Sequence, residues 1–297
     1  MRYSLRQLEV FLATAHYENV TRAAASLAMS QSAASGSLRE LESQFDVKLF
    51  DRLGKRLRLS ELGQQLRPQV ENLLAQARAL EHALAGEDVI GRLQIGATLT
   101  IGNYIAVNMI AEFRRRHPQA DIALRVANTE AIAEQVAHFD LDMGLIEGEL
   151  QHPALDIVHW RGDELVVFAA PDHPLATSAS LSDADLMALP WIVREVGSGT
   201  RQAFERAMHG ILTDLHIAME LQHTEAIKRA VEAGLGVGCL SRVALVDAFK
   251  RGSLVPLAVP ARDFRREWFL ITHREKFHSA GLREWMALCQ TRWSSTP

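Results

Sequence analysis

The chain has 297 residues, 48% of them hydrophobic and 23% charged, with a net charge of −4. This length and apolar content bury a core in about two domains and exclude a disordered or fibrous protein. Its two cysteines, Cys239 and Cys289, are too few and too far apart for a disulfide framework or a zinc spacing, and they suit a reducing compartment.

Arg2, Arg6 and Glu9 interrupt any apolar run at the N-terminus, so no secretory signal is expected. No stretch approaches the roughly 20 apolar residues of a membrane span, and the expected location is the cytoplasm, with no membrane partner. A first helix is predicted from Ser4, whose hydroxyl caps it while Gln7 reaches back, with Leu5, Leu8, Phe11, Leu12 and Ala15 on one face. The stretch TRAAASLAMSQSAASGSLRELE, residues 21–42, then contains two helix starts nine residues apart. Thr21 is read as the cap of a second helix through Leu27, and Ser30 as the cap of a third. Helices this close must turn sharply and cross, as a helix-turn-helix does, and Ala23, Ala24, Ala25 and Ala34 let the backbones approach.

At 100° per residue the third helix has two faces. Ala34, Leu38, Leu41 and Phe45 form a core stripe, while Gln31, Ser32, Ser35 and Arg39 share the open side. Such a face suits a DNA groove: Gln reads adenine edges, Arg reads guanine or phosphate, and serines approach without filling the groove. Thr21 and Arg22 are counted with them as DNA-binding candidates. In KLFDRLGKRLRLSELGQQL, Arg52, Lys55, Arg56 and Arg58 alternate with leucines, which predicts a tight hairpin, a wing with a basic tip for the phosphate backbone. Residues 1–63 carry nine Lys or Arg against seven Asp or Glu, so this region is positive on an otherwise acidic chain. Ser60 then opens a long helix to about Ala85, in which Leu62, Leu66, Val70, Leu73, Ala77, Leu80 and Leu84 recur by threes and fours. That seam asks for a partner helix, and Pro68 is expected to kink its first turns. A dimer of such units matches a palindromic site on double-stranded DNA.

With these residues the chain resembles the LysR-type transcriptional regulators over its full length. The matching motifs are LRQLEVFLATAHYENVTRAAASLAMSQSAASGSLRELE and LFDRLGKRLRLSELG, then GRLQIGATLTIGNY, RRHPQADIAL and REVGSGTR. The resemblance implies that Gln31, Ser32 and Ser35 take the base- and backbone-contacting positions of the recognition helix and that Arg52 is the arginine beside the wing. Ser32 stands where the family often has proline and Gly36 where it often has a larger, commonly basic residue; a glycine there weakens the helix and removes a contact. The resemblance also implies a homodimer or homotetramer on an interrupted palindrome, activation as the usual action, RNA polymerase as a further partner, and a periplasmic-binding-protein-like effector domain. The effector region is most similar to the subgroup tied to sulfur and cysteine metabolism.

Read from its residues alone, the chain after Gly91 alternates strand and helix patterns: RLQIGA, a helix over about Ile101–Arg116, DIALRVA, a helix over about Thr129–Phe139, and LDMGLI. A second set follows, with ELVVFAA, WIVRE, a helix after Thr200, HIAMELQ, a helix over about Ala226–Ala233, and GVGCLS; EWFLITH and GLREWMALC return to the first. This predicts two α/β lobes with mainly parallel sheets and a cleft between them. Thr98 and Thr100, Asn128 and Thr129, Ser198 and Thr200, and Thr224 stand at four helix starts, where free N–H groups and hydroxyls suit a small anion. Glu147, just past its strand, repels a bare oxyanion and welcomes an amine, with Arg194 nearby to restore the balance. A small carboxylate, an amino-acid derivative or an inorganic oxyanion is therefore the expected effector, anionic or zwitterionic.

No nucleophile elbow, phosphate loop or dinucleotide fingerprint is present, and no two of the 12 histidines pair at i, i+4, so no enzyme, metal site or cofactor is expected. A transport-type solute-binding protein is the alternative that residues 91–297 alone would fit. The expected architecture is an α+β multi-domain chain: a winged helix-turn-helix over 1–59, a linker helix and hinge over 60–90, and an effector domain over 91–297. Within the last, lobe I spans 91–162 plus 267–297 and lobe II 163–266.

Overall fold

The computed structural model describes residues 1–53, 56–84 and 90–292. They form two compact units, Met1–Ile90 with Arg274–Ala280, and Gly91–His273 with Gly281–Pro297.

The first unit begins with α1 (Leu5–Tyr17), α2 (Val20–Ser26) and α3 (Gln31–Phe45). Ser4 and Gln7 make the reciprocal capping pair, and Ser30 Oγ accepts from Ala33 N at 3.1 Å. The cap of α2 is Asn19 rather than Thr21: its Oδ1 accepts from the amides of Thr21 and Arg22 at 2.9 and 3.1 Å, so Thr21 lies inside the first turn. Asn19→Ala removes the acceptor for both amides and is expected to cost about 1 kcal/mol in urea unfolding, with an unchanged slope. At the crossing Ala23, Ala24 and Ala34 are buried with Leu8, Phe11, Leu38 and Leu41, as expected, whereas Ala25 is exposed and takes no part in the contact. Phe45 departs from the predicted core stripe; it is 43% exposed and lies against Tyr3 at the rim. The hairpin β1 (Phe50–Leu53) and β2 (Arg56–Leu59) is antiparallel, pairing Phe50 with Leu59 and Arg52 with Leu57. Phe50 packs edge-on against Phe11 with ring centroids 5.6 Å apart and ties the hairpin to α1.

Helix α4 (Glu61–Leu84) follows, with Pro68 inside it and Ser60 Oγ accepting from Gly63 N. Leu62, Leu66, Val70 and Leu74 cover the core of their own unit, whereas Leu80 is 60% and Leu84 79% exposed. Leu74, which breaks the predicted spacing, is buried in place of Leu73.

The second unit is built on β3 (Arg92–Thr98), α5 (Leu99–Ile101), a π-helical turn (Gly102–Ala106), α6 (Val107–Arg116), β4 (Asp121–Ala127), α7 (Thr129–Ala137) and β5 (Met143–Glu147) as one lobe. The 15-residue β6 (Leu155–Ala169) leads to α8 (Asp183–Ala188), β7 (Pro190–Arg194), α9 (Gly199–Ala207), β8 (His216–Leu221), α10 (Thr224–Glu232), β9 (Val237–Ser241), α11 (Arg242–Arg251) and β10 (Val255–Leu257) of the other. The chain returns through β11 (Arg265–His273) to α12 (Ala280–Arg292). Strand order is β4-β3-β5-β11-β6-β9-β7-β8, with β10 on β6. Pairs inside each lobe, β3 with β4 and β5, and β7 with β8 and β9, are parallel; the joints made by β6 and β11 are antiparallel.

Helices on both faces explain why the strands read as unbroken apolar runs. On one face of the second lobe Trp191 and Phe204 pack together with Leu186; on the other, Phe168, Ile192, Ile227 and Leu245 do. Helix α7 stops at Ala137, two residues short of expectation, because Phe139 takes a left-handed φ of 59° and stacks on His273. Helix α10 begins at Thr224, two residues earlier than expected. Three elements lie outside the expected pattern: α8, although Ser182 and Asp185 form a capping box at its start, the ten-residue α11, and the three-residue strand β10.

Candidate DNA interface and interlobe site

In the first unit, Thr21, Arg22, Gln31, Ser32 and Arg39 are exposed and Ser35 is half-buried. Ser32 Oγ lies 3.0 Å from Ser30 Oγ, and Arg39 Nε donates to Ser35 O at 3.2 Å, which holds the arginine along its own helix. Arg52 and Arg56 are exposed on the two hairpin strands; Lys55 lies outside the described residues. Arg6 was not anticipated here. Its Nη2 donates to Leu27 O at 2.6 Å and Nη1 to Glu9 at 2.8 Å, so it closes the carbonyl end of α2 and fixes α1 against the turn that presents α3.

The interlobe site of the second unit centres on Glu147, the last residue of β5 and fully buried. Its Oε1 accepts from the amides of Thr100 at 2.9 Å and Ile101 at 3.4 Å, the start of the helical run that α5 opens. Its Oε2 accepts from Thr200 Oγ1 at 3.1 Å, across the lobe boundary, and from Arg266 Nη1 at 2.7 Å. Arg266 Nε donates to Asp163 Oδ2 at 2.7 Å, and Asp163 Oδ1 accepts from Ser241 Oγ at 2.9 Å. The protein's own carboxylate thus sits where the sequence suggested a ligand anion, held by cations and hydroxyls from both lobes. Burial pushes its carboxyl up, but the Arg266 guanidinium, the Thr100 hydroxyl, Arg194 and Thr98 outweigh it, and the net shift is below the ordinary 4.5.

The other candidates divide in two. Asn128 and Ser198 are caps, accepting from Ala131 N at 3.0 Å and Thr200 N at 3.2 Å. Thr98 and Thr224 are buried with hydroxyls that make no hydrogen bond of acceptable geometry, although Thr98 lies close enough to Glu147 to favour its charge. Helix α10 has no side-chain cap, so its first amides and the Thr224 hydroxyl stand together without a protein acceptor from His223. Arg194 is forked onto Glu195 at 2.7 and 2.8 Å.

Gly199 sets the closeness of the lobes. A Cβ there would fall 1.9 Å from Glu147 O, and its amide donates to Thr129 Oγ1, which in turn donates to Glu147 O at 2.9 Å. Beside this contact a cavity of about 430 Å³ opens between α7 and α9, lined by Thr129, Glu130, Glu149, Ser198, Arg201 and Gln202. Farther along, Tyr104 OH donates to Glu225 at 2.5 Å and so links the π-helical turn to α10. Sequence reasoning placed Thr129 at its helix start but missed Arg266, Asp163 and Gly199. A charged residue at the head of the apolar run RREWFLITH was the available signal for Arg266.

Cys239 and Cys289 are buried, and burial holds both thiols protonated and unreactive. Among the described residues no three His, Cys, Asp or Glu side chains gather as a metal site, and no helix is long and apolar enough to cross a membrane.

Comparison with known proteins follows the same division of the chain. Residues 5–64 match the bacterial regulatory helix-turn-helix protein, lysR family, and residues 86–294 match the LysR substrate binding domain. The HTH-type transcriptional regulator YeiE of Escherichia coli is 42% identical over 97% of this chain and 98% of its own. A full-length OxyR variant from Pseudomonas aeruginosa shares the fold, with a TM-score of 0.76 at 22% identity over 98% of this chain and 94% of that one. The CcmR regulatory domain of Synechocystis, solved in complex with 2-PG, is 28% identical with a TM-score of 0.63, over 67% of this chain and 96% of that one. With both family domains matched in order and a relative aligned nearly end to end, the chain belongs to the LysR family of transcriptional regulators.

Proposed function

We propose that this regulator reads an interrupted palindrome through α3 and the hairpin, as a dimer or tetramer, and is controlled by a small anionic or zwitterionic molecule held between the two lobes. The observation that carries the reading is the exposed polar face of α3, Gln31, Ser32 and Arg39, on a helix whose other face is committed to the core. A transport solute-binding protein would leave that face and the whole of residues 1–90 without a role. The exposed Leu80 and Leu84 of α4, with an apolar groove of about 500 Å³ lined by Phe45, Leu66, Val70 and Leu73, suit a second copy. The reading extends to a cytoplasmic activator that contacts RNA polymerase.

The DNA assignment is tested by fluorescence anisotropy on the region upstream of its own gene and on random DNA. Arg52→Ala and Arg56→Ala are expected to weaken both alike and to reduce the salt slope by about one each. Gln31→Ala is expected to cost about 1–3 kcal/mol on the specific site and little on random DNA. Equal losses on both for Gln31→Ala would place it on the backbone instead.

For the effector, the carrying observation is the buried Thr224 hydroxyl, which makes no protein hydrogen bond at the uncapped start of α10. The CcmR regulatory domain, a relative of this effector domain, takes a small molecule, 2-PG. Thr224→Val keeps the shape and removes one donor. It is expected to lower effector affinity by about 1.5–3 kcal/mol in a thermal-shift titration over carboxylates, amino-acid derivatives and inorganic oxyanions. An equal shift in wild type and variant would reduce Thr224 to a helix-start residue.

A further inference from the structure

We propose that the interlobe site takes an oxyanion only together with a proton, so that its ligand is an acid oxyanion or a zwitterion that turns an O–H or N–H donor toward Glu147. The inference rests on the interlobe reading given above.

The charges around Glu147 are already balanced. Less than a tenth exposed are three carboxylates, Glu147 on β5, Asp163 on β6 and Glu195 after β7, and three guanidiniums, Arg266 on β11, Arg194 on β7 and Arg161 on β6. Arg266 bridges Glu147 and Asp163, Arg194 is forked onto Glu195, and Arg161 lies over the Trp268 ring at 5.2 Å. From the remaining elements around the carboxylate come only neutral groups, the hydroxyls of Thr98 and Thr100 at the start of α5, Thr200 on α9 and Thr129 on α7. Lys228, the buried cation of α10, is held by Glu225 at 2.7 Å. Among the described residues, no uncommitted positive charge faces Glu147 to meet an incoming anion.

A bare anion would therefore add an uncompensated charge beside an ionised carboxylate in a buried site, which costs more than a few hydrogen bonds return. Donors for its oxygens exist in Thr224 Oγ1 and the first amides of α10. What the site lacks is a way to accept a second negative charge next to Glu147. A ligand that brings its own proton resolves this, because a carboxylate is an acceptor only and pairs with an O–H or N–H. Thr200 already makes that type of bond to Oε2 at 3.1 Å, and its hydroxyl marks where a ligand donor would substitute. The same logic makes affinity fall as pH rises, since each proton the ligand loses takes away one donor and adds one negative charge.

Inorganic phosphate and sulfate separate the possibilities, because they match in shape and phosphate alone carries a proton near neutral pH. Calorimetric titration of the full chain at constant ionic strength is expected to show phosphate binding roughly a hundredfold or more tighter than sulfate at about pH 6, as for a site that rejects a ligand lacking its donor. Phosphate affinity should fall toward about pH 8, and heats in two buffers of different ionisation enthalpy should then report proton uptake on binding. In Glu147→Gln the amide donates as well as accepts, so sulfate should approach phosphate. The wild-type comparison of phosphate with sulfate stands even if that variant folds poorly. Sulfate binding wild type as tightly as phosphate, at about pH 6 and again at about pH 8 where both are dianions and phosphate alone keeps an O–H, would overturn the proton requirement while leaving the anion site intact. Binding of neither ion would overturn the interlobe anion site itself, and this inference with it.

Discussion

Arg266→Met is expected to lower stability by about 3–5 kcal/mol at neutral pH, the cost of leaving a buried charge without its partner. Arg266 is fully buried and bonds two carboxylates, Glu147 and Asp163, each at 2.7 Å. Methionine fills much of the volume but leaves both carboxylates buried and facing one another. The pH dependence separates this cause from simple loss of packing. In wild type the Glu147 carboxyl is held below the ordinary 4.5, so its contribution is complete above that value and disappears as pH falls through the lower, folded value. In the variant the principal cation is gone and burial dominates, which raises the folded value above the unfolded one. The sign then reverses: the penalty is largest at neutral pH and eases on acidification as the carboxyl takes a proton. Urea unfolding from about pH 7 to about pH 5 should show the variant gaining stability relative to wild type. Parallel curves would mean that Arg266 acts by packing alone. Adding Glu147→Gln to Arg266→Met should recover part of the loss, because the pair is directly coupled.

Gly199→Ala is expected to abolish effector response while leaving the DNA-binding unit intact. The added Cβ would lie 1.9 Å from the Glu147 carbonyl oxygen and 2.5 Å from its carbon. Both are strand backbone, which cannot turn aside as a side chain would. The lobes must part or α9 must shift, which breaks the bonds from Thr200 to Glu147 and from the residue 199 amide to Thr129. Overpacking of this kind costs about 1–3 kcal/mol. Effector affinity should fall by roughly a hundredfold, equivalent to about 2.7 kcal/mol, since the two halves of the site are no longer in register. Thermal-shift titration with the anion that stabilises wild type most should show little or no shift in the variant, while binding to random DNA is retained. A full shift would show that the ligand needs only one lobe.

Much of this was legible from local chemistry. Ser4 with Gln7 and the cap at Ser30 are short-range patterns, so the helix starts they mark were readable directly. Thr21 was misread as a cap because Asn19, two residues earlier, is an equally good capping residue and reaches both free amides. The helix-start threonines were found by the same local rule, but which of them keep a free hydroxyl depends on neighbours distant in sequence. Thr200 is engaged by Glu147, 53 residues away, and Thr224 by none. Arg266 and Asp163 were invisible because their pairing spans 103 residues and arises only when β6 and β11 cross side by side. Gly199 lies within REVGSGTR with no local signal of its role. Its importance lies in a backbone contact with β5 that no spacing encodes.

A chain that joins sequence reading by α3 to anion sensing between the lobes must show a measurable coupling between the two. Anisotropy titration of the upstream DNA with the full chain, with and without the anion that stabilises wild type most, should change DNA affinity about 5- to 150-fold, the usual range for coupled sites. The change should vanish in Gly199→Ala and persist in Asn19→Ala. An identical affinity with and without the anion in wild type, or an equal response in Gly199→Ala, would contradict the coupling.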